Sequence, residues 1–292
     1  MDYISKKISL VLILLTLSLH VSAGNVEDIH VIPFVKSSGL ILIEAEIDGK
    51  KGNFIFDTGA EGLLINAVES KSNNQVSFQT LNGSFNSNIV PVSHLTLGTY
   101  TLNGLSAYTR DLTVFENKLG GKLLGIIGAK LFNAEILRID NIKKTIELIP
   151  RRLMKHLDKA SNSSCPFRFE NDVPIIDVTI HGEKYAFGLD TGSSISLIDK
   201  NFIEQNPKVF KRLEGKLDLL TASSKSLNVT TYTSDPIHIS KIKISDLSFG
   251  SYDFSLINTT FSKPLTGILS IDQLPVKELF VDYTEGKLYF LF

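Results

Sequence analysis

Phe54-Ile55-Phe56-Asp57-Thr58-Gly59-Ala60 is followed by Leu63-Leu64-Ile65, and Phe187-Gly188-Leu189-Asp190-Thr191-Gly192-Ser193 by Ile195-Ser196-Leu197-Ile198. Each stretch reads apolar run, Asp-Thr-Gly, apolar run. A carboxylate therefore stands on a turn between two segments that favour burial, which costs free energy unless the charge is paired or used. A turn cap, with glycine supplying a positive φ, accounts for either copy alone. It does not account for two copies in matching surroundings.

The repeat extends well beyond the tripeptide. The aspartates stand 133 positions apart (190 − 57). At that offset Pro33-Phe34 falls on Pro166-Phe167, Leu42 on Ile175, Gly49 on Gly182 and Asn66 on Asp199, with no gap. A second block recurs 142 positions on (270 − 128). There Gly125-Ile126-Ile127-Gly128 matches Gly267-Ile268-Leu269-Ser270, and Leu137 to Asp140 matches Leu279 to Asp282. A period this long denotes two duplicated lobes rather than a solenoid of short units.

Local patterns within the first copy are those of strands. Leu40 to Ile47 passes from a continuous apolar run into alternation, and Asp48-Gly49 marks a turn before the segment that ends at Asp57. The unit reads as a hairpin that delivers Asp57 to its tip. Asn82-Gly83 signals a second hairpin between Val76 to Phe78 and Ile89 to Leu97. Ala129 to Phe132 reads as a short helical turn. In the second copy, Asn201 to Lys211 holds a short helix broken near Pro207, and Ala222 to Ser226 a hairpin tip.

Two Asp-Thr-Gly lobes, each with a downstream apolar-apolar-Gly or its near match, resemble the aspartic proteases of the pepsin and retropepsin superfamily. They also resemble the bacterial retropepsin-like proteins with both lobes in one chain. The resemblance implies an all-β, bilobal aspartic protease fold with a cleft between the lobes. It implies an endopeptidase acting on polypeptide through a water activated by Asp57 and Asp190, with no cofactor and no metal. Thr58 and Thr191 are expected to reach across the lobe axis, and Gly59 and Gly192 to leave the carboxylates approachable. Ser193 is expected to hydrogen-bond the outer oxygen of Asp190. Ala60 cannot do this for Asp57, so the shared proton is expected on Asp57. The stretch Leu81, Asn82, Gly83, Ser84 and Phe85 takes the place of the mobile flap, without the tyrosine of the pepsin-like enzymes. Ser270 stands where the first lobe has Gly128, and its Cβ restricts backbone approach behind Asp190. The other reading left open is a peptide-binding module built on the same duplicated fold.

The remaining features set the boundaries. Lys6-Lys7, an apolar run from Ile8 to Leu19 and Val21-Ser22-Ala23 form a signal-peptide pattern over 1–23, with cleavage expected after Ala23. Export to the periplasm or exterior follows, with no stable membrane anchor after cleavage. The first lobe is expected over 24–150, a polar linker over 151–164 and the second lobe over 165–292. A short linker favours pairing of the two lobes within one chain, so a monomer is expected. Net charge is −1, which gives no reason to expect a nucleic-acid partner. Cys165 is the single cysteine and forms no internal disulfide. The histidines show no metal-ligand spacing, and no Gly-x-Ser-x-Gly occurs.

Overall fold

The structure, a computed structural model, describes residues 29–60, 62–67, 75–80, 83–154, 163–171, 173–220 and 226–291. The signal-peptide pattern, the middle of the linker, Leu81-Asn82 and most of the expected tip at Ala222 to Ser226 lie outside these residues.

Strands dominate, as the alternating and apolar runs predict. Leu40–Ile47 and Lys50–Asp57 form the first hairpin, joined at Asp48 and Gly49, both in the positive-φ region. Val173–Ile180 and Glu183–Asp190 form its counterpart, joined at His181 and Gly182. Glycine carries the second turn position in both, where a side chain would be strained. Both hairpins bury their last turn of apolar residues. Phe54, Phe56 and Phe187 are fully buried, and Phe56 stacks on Phe132 with centroids 6.1 Å apart.

Each Asp-Thr-Gly strand is backed in the same way. Gly125–Gly128 runs parallel to Lys50–Asp57, and Gly267–Ser270 runs parallel to Glu183–Asp190. The strand leaving each turn, Leu63–Asn66 or Ser196–Asp199, pairs antiparallel with the other side of that backing strand. Asn66 Oδ1 accepts the amide of Leu112 at 2.9 Å, and its counterpart Asp199 accepts the amide of Phe254 at 3.3 Å. The duplication thus extends to individual hydrogen bonds.

The lobes are joined by a six-stranded antiparallel sheet that the sequence pattern did not reveal. Its order is His30–Ser37, Thr145–Ile149, Ile136–Asp140, Glu278–Asp282, Lys287–Leu291 and Ser163–Glu170, three strands from each lobe. The two outer strands change sheets midway. Phe34 to Ser37 pairs with Leu40–Ile47, and Phe167 to Glu170 pairs with Val173–Ile180. At the centre Arg138 lies opposite Phe280, so each central strand meets its own repeat. Two helices went unmatched or were placed only roughly by the sequence. Thr113–Leu119 is a short helix ended by Gly120, and Lys200–Gln205 is the helix expected in the second copy.

Candidate active site

Asp57 and Asp190 close the two equivalent hairpin strands and meet at the lobe boundary. Their positions follow from the backing strands: Asp57 lies opposite Gly128, and Asp190 opposite Ser270. The turns are locked to one another by the threonines. The amide of Thr58 donates to Thr191 Oγ1 at 2.8 Å, and the amide of Thr191 donates to Thr58 Oγ1 at 3.0 Å. Each hydroxyl then donates onward across the axis, Thr58 to the Leu189 carbonyl at 3.2 Å and Thr191 to the Phe56 carbonyl at 3.0 Å. Both threonines are buried. Four reciprocal bonds therefore hold two acidic loops together against their mutual repulsion.

The carboxyl groups hydrogen-bond each other. Gly59 donates its amide to Asp57 Oδ1 at 2.7 Å, and Gly192 does the same for Asp190 Oδ1 at 2.7 Å. Beyond this the symmetry fails. Asp57 also draws on the amides of Gly192 and Ala60, and Asp190 on that of Ser193. A Cβ on Gly192 would overlap the Asp57 carboxylate, while one on Gly59 would lie 3.0 Å from Asp190 Oδ1.

Burial raises the pKa of both carboxyls, because the charged form is poorly solvated there. For Asp57 the rise is opposed by the Asp190 hydrogen bond and the surrounding amides. For Asp190 the Asp57 charge adds to burial and drives the group well above the usual carboxylate range. The pair therefore shares one proton. Ser193 does not make the bond expected of it: its hydroxyl donates to the Ile195 carbonyl at 2.7 Å instead of to Asp190.

Ser270 explains much of that local difference. In the first lobe the Gly128 amide donates to the Gly62 carbonyl at 2.7 Å. A Cβ at 128 would lie 2.5 Å from the Ala60 carbonyl oxygen and 2.6 Å from that of Gly62, which no real side chain tolerates. The second lobe carries a side chain at this place and has rebuilt the contact. Ser270 Oγ donates to the Ser193 carbonyl at 2.6 Å, and the Ser270 amide donates to Ser196 Oγ at 3.1 Å. The amide of Ser196 is held by Gln273 Oε1 at 2.6 Å. Ser196 and Gln273 escaped the sequence reading, and the only signal available was the Gly-to-Ser change at 270.

The flanks of the site are also related by the repeat but differ in chemistry. On one side Lys36 pairs with Asp272 at 2.5 Å. At the equivalent positions on the other side, the Lys130 ammonium lies 5.5 Å above the Phe169 ring. Phe169 stacks on Tyr283 at 5.2 Å. Tyr283 is buried, and its phenol is pushed up in pKa by burial and then by the Asp57 charge. Nothing in the sequence marked Tyr283, since its counterpart in the first copy is Asn141.

The hairpin expected to act as a flap is formed by Gln75–Thr80 and Gly83–Leu97, with Thr80 opposite Gly83. Gly83, Ser84 and Phe85 open its second strand, while Leu81 and Asn82 fall outside the described residues.

Residues 43–131 match the model of the aspartyl protease family. The match spans Asp57-Thr58-Gly59 and its backing strand Gly125–Gly128. No curated protein matches the chain.

Proposed function

With the chain a member of the aspartic protease superfamily, we propose that it is an aspartic endopeptidase whose catalytic residues are Asp57 and Asp190. The observation that carries this reading is the reciprocal Thr58–Thr191 bonding that holds two hydrogen-bonded carboxyls, one from each lobe, at the lobe boundary. A purely structural turn has no use for two buried acids sharing a proton.

In this reading an extended peptide lies in the cleft as an added strand. Water sits between the carboxyls and the scissile carbonyl. Asp57, ionised, takes a proton from the water. Asp190 gives its proton to the carbonyl oxygen as the water oxygen bonds to carbon. The product is a neutral tetrahedral diol. Return of the proton held by Asp57 to the amide nitrogen, with transfer of a diol proton back to Asp190, breaks the C–N bond and restores the starting state. No covalent enzyme intermediate forms, and the chemistry calls for no metal.

The same reading assigns the hairpin around Leu81 to Phe85 as the flap over bound substrate. It includes an exported, monomeric enzyme with a signal peptide over 1–23, lobes over 24–150 and 165–292, and a linker over 151–164.

The test is cleavage of a denatured protein across acid to neutral pH by the mature chain and by Asp57→Asn and Asp190→Asn variants. Loss of cleavage in both variants, with circular dichroism unchanged, is expected. Cleavage persisting in either variant would place the activity elsewhere. A folded wild-type chain that binds but never cleaves peptide would favour the binding module.

A further inference from the structure

The strand behind Asp190 contains a serine where its twin contains a glycine, and the consequence reaches the carboxyl. In the first lobe the Gly62 carbonyl is occupied by the Gly128 amide at 2.7 Å. The equivalent carbonyl in the second lobe belongs to Ile195, and the equivalent amide to Ser270. That amide donates to Ser196 Oγ instead, which leaves the Ile195 carbonyl to Ser193 Oγ at 2.7 Å. The displacement is steric in origin. Ser270 is fully buried, and its hydroxyl bonds the Ser193 carbonyl, the counterpart of the carbonyl that a Cβ at 128 would strike. Gly62 also holds a φ of 66°, a region unfavourable for the β-branched Ile195, so the second loop could not copy the first.

We propose that Ser270 is a positioning residue that acts through Ser193: its hydroxyl holds the Ser193 carbonyl, which keeps the Ser193 hydroxyl on the Ile195 carbonyl and away from the Asp190 carboxyl. The inference rests on the endopeptidase reading for its functional meaning and not for its geometry. Few groups compete for control of Asp190. Asp57 faces it across the axis. Asp272, on the turn after the backing strand, is neutralised by Lys36. Tyr283 acts from the Asp57 side. Gly267–Ser270 itself carries no ionisable side chain.

A glycine at 270 removes the Cβ and the hydroxyl bond to the Ser193 carbonyl that hold this loop, and so loosens the Ser193 Oγ bond to the Ile195 carbonyl. Ser193 Oγ is then released to donate to the Asp190 carboxylate. A hydroxyl donated to the charged form lowers a carboxyl pKa. The consequence is a more acidic working range for the pair.

The test is a carbon-13 NMR titration of the aspartate carboxyls in the full chain, with proteolysis followed in parallel. Ser270→Gly is expected to lower the higher of the two dyad pKa values by about one pH unit. Ser270→Ala keeps the Cβ and is expected to titrate as the wild type does. Adding Ser193→Ala to Ser270→Gly is expected to cancel the shift, and Ser193→Ala alone to leave the titration in place. A folded Ser270→Gly chain with an unmoved titration overturns the inference. So does a rise on Ser193→Ala alone, since the hydroxyl would then already serve Asp190. That single variant decides the matter if Ser270→Gly does not fold. Carboxyl shifts as expected, in a chain that never cleaves protein, would uphold the inference and remove the protease reading.

Discussion

Arg138 lies opposite Phe280, its own counterpart in the repeat, at the centre of the sheet that joins the lobes, with its guanidinium 5.5 Å from the Phe280 ring centroid. One copy of the duplication thus holds a cation where the other holds an aromatic ring. The guanidinium also bonds Glu147 of its own lobe at 2.8 Å and Glu278 of the other at 2.9 Å. Further ion pairs onto the second lobe follow the same polarity. Lys36 pairs with Asp272, and Arg151, at the start of the linker, with Asp282 and Glu285, so in these pairs the second lobe supplies the acid. Like lobes meeting like would oppose cation to cation or acid to acid. The charge pattern therefore favours unlike pairing, as one chain supplies.

Arg138→Met is expected to lower stability by about 3 kcal/mol, because it keeps the stem but strands Glu147 and Glu278 in a mostly buried setting. Urea denaturation at neutral pH measures this. A loss below about 0.5 kcal/mol would mean that the pair behaves as a solvated surface bridge.

Thr191→Val is expected to cost about 2–4 kcal/mol, since it leaves the Thr58 amide and the Phe56 carbonyl without their partners in a buried place. Thr191→Ser keeps both bonds and is expected to recover most of the loss. In a double-mutant cycle, Thr58→Val and Thr191→Val should be strongly non-additive, because each removes half of one reciprocal network. Additive effects would show that the two threonines act independently.

Gly192→Ala should be far more damaging to activity than Gly59→Ala. The added Cβ overlaps the Asp57 carboxylate in the first case and rests 3.0 Å from Asp190 Oδ1 in the second. A displacement of about 1 Å between reacting groups is enough to cost roughly 10²-fold in rate. Comparison of kcat for the two variants checks this, and equal losses would contradict the asymmetry of the dyad.

Much of this arrangement was legible in the sequence, for an identifiable reason. Asp57 and Asp190 occur within runs whose apolar pattern is repeated, and a repeat constrains both copies at once. The hairpins before each aspartate and the backing strands at Gly125 and Gly267 followed from the same repetition. The joining sheet did not, because pairing of Ile136–Asp140 with Glu278–Asp282 is set by how two lobes dock and leaves no local pattern. Thr113–Leu119 is under two turns long and begins without a side-chain cap at Leu112, so it lacks the signals that announce a helix. The orientation of Ser193 was illegible for a subtler reason. It depends on which donor occupies the Ile195 carbonyl, and that is decided at Ser270, far along the chain.

The dyad should also make the folded state less stable as pH rises. An unfolded aspartate titrates near 3.9. In the folded chain burial raises both carboxyls, and the Asp57 charge raises Asp190 further. Between the unfolded value and the folded one, the native state retains a proton that the unfolded chain has released. Stability therefore falls as pH rises through that window and levels off above the folded pKa. Asp190→Asn keeps the acceptor for the Gly192 amide but removes the second acid. The variant is expected to match the wild type below about pH 4 and to exceed it in stability at neutral pH. Urea denaturation of both proteins from pH 4 to pH 8 gives the comparison. Parallel stability profiles over that range would mean that the fold does not raise the pKa of Asp190.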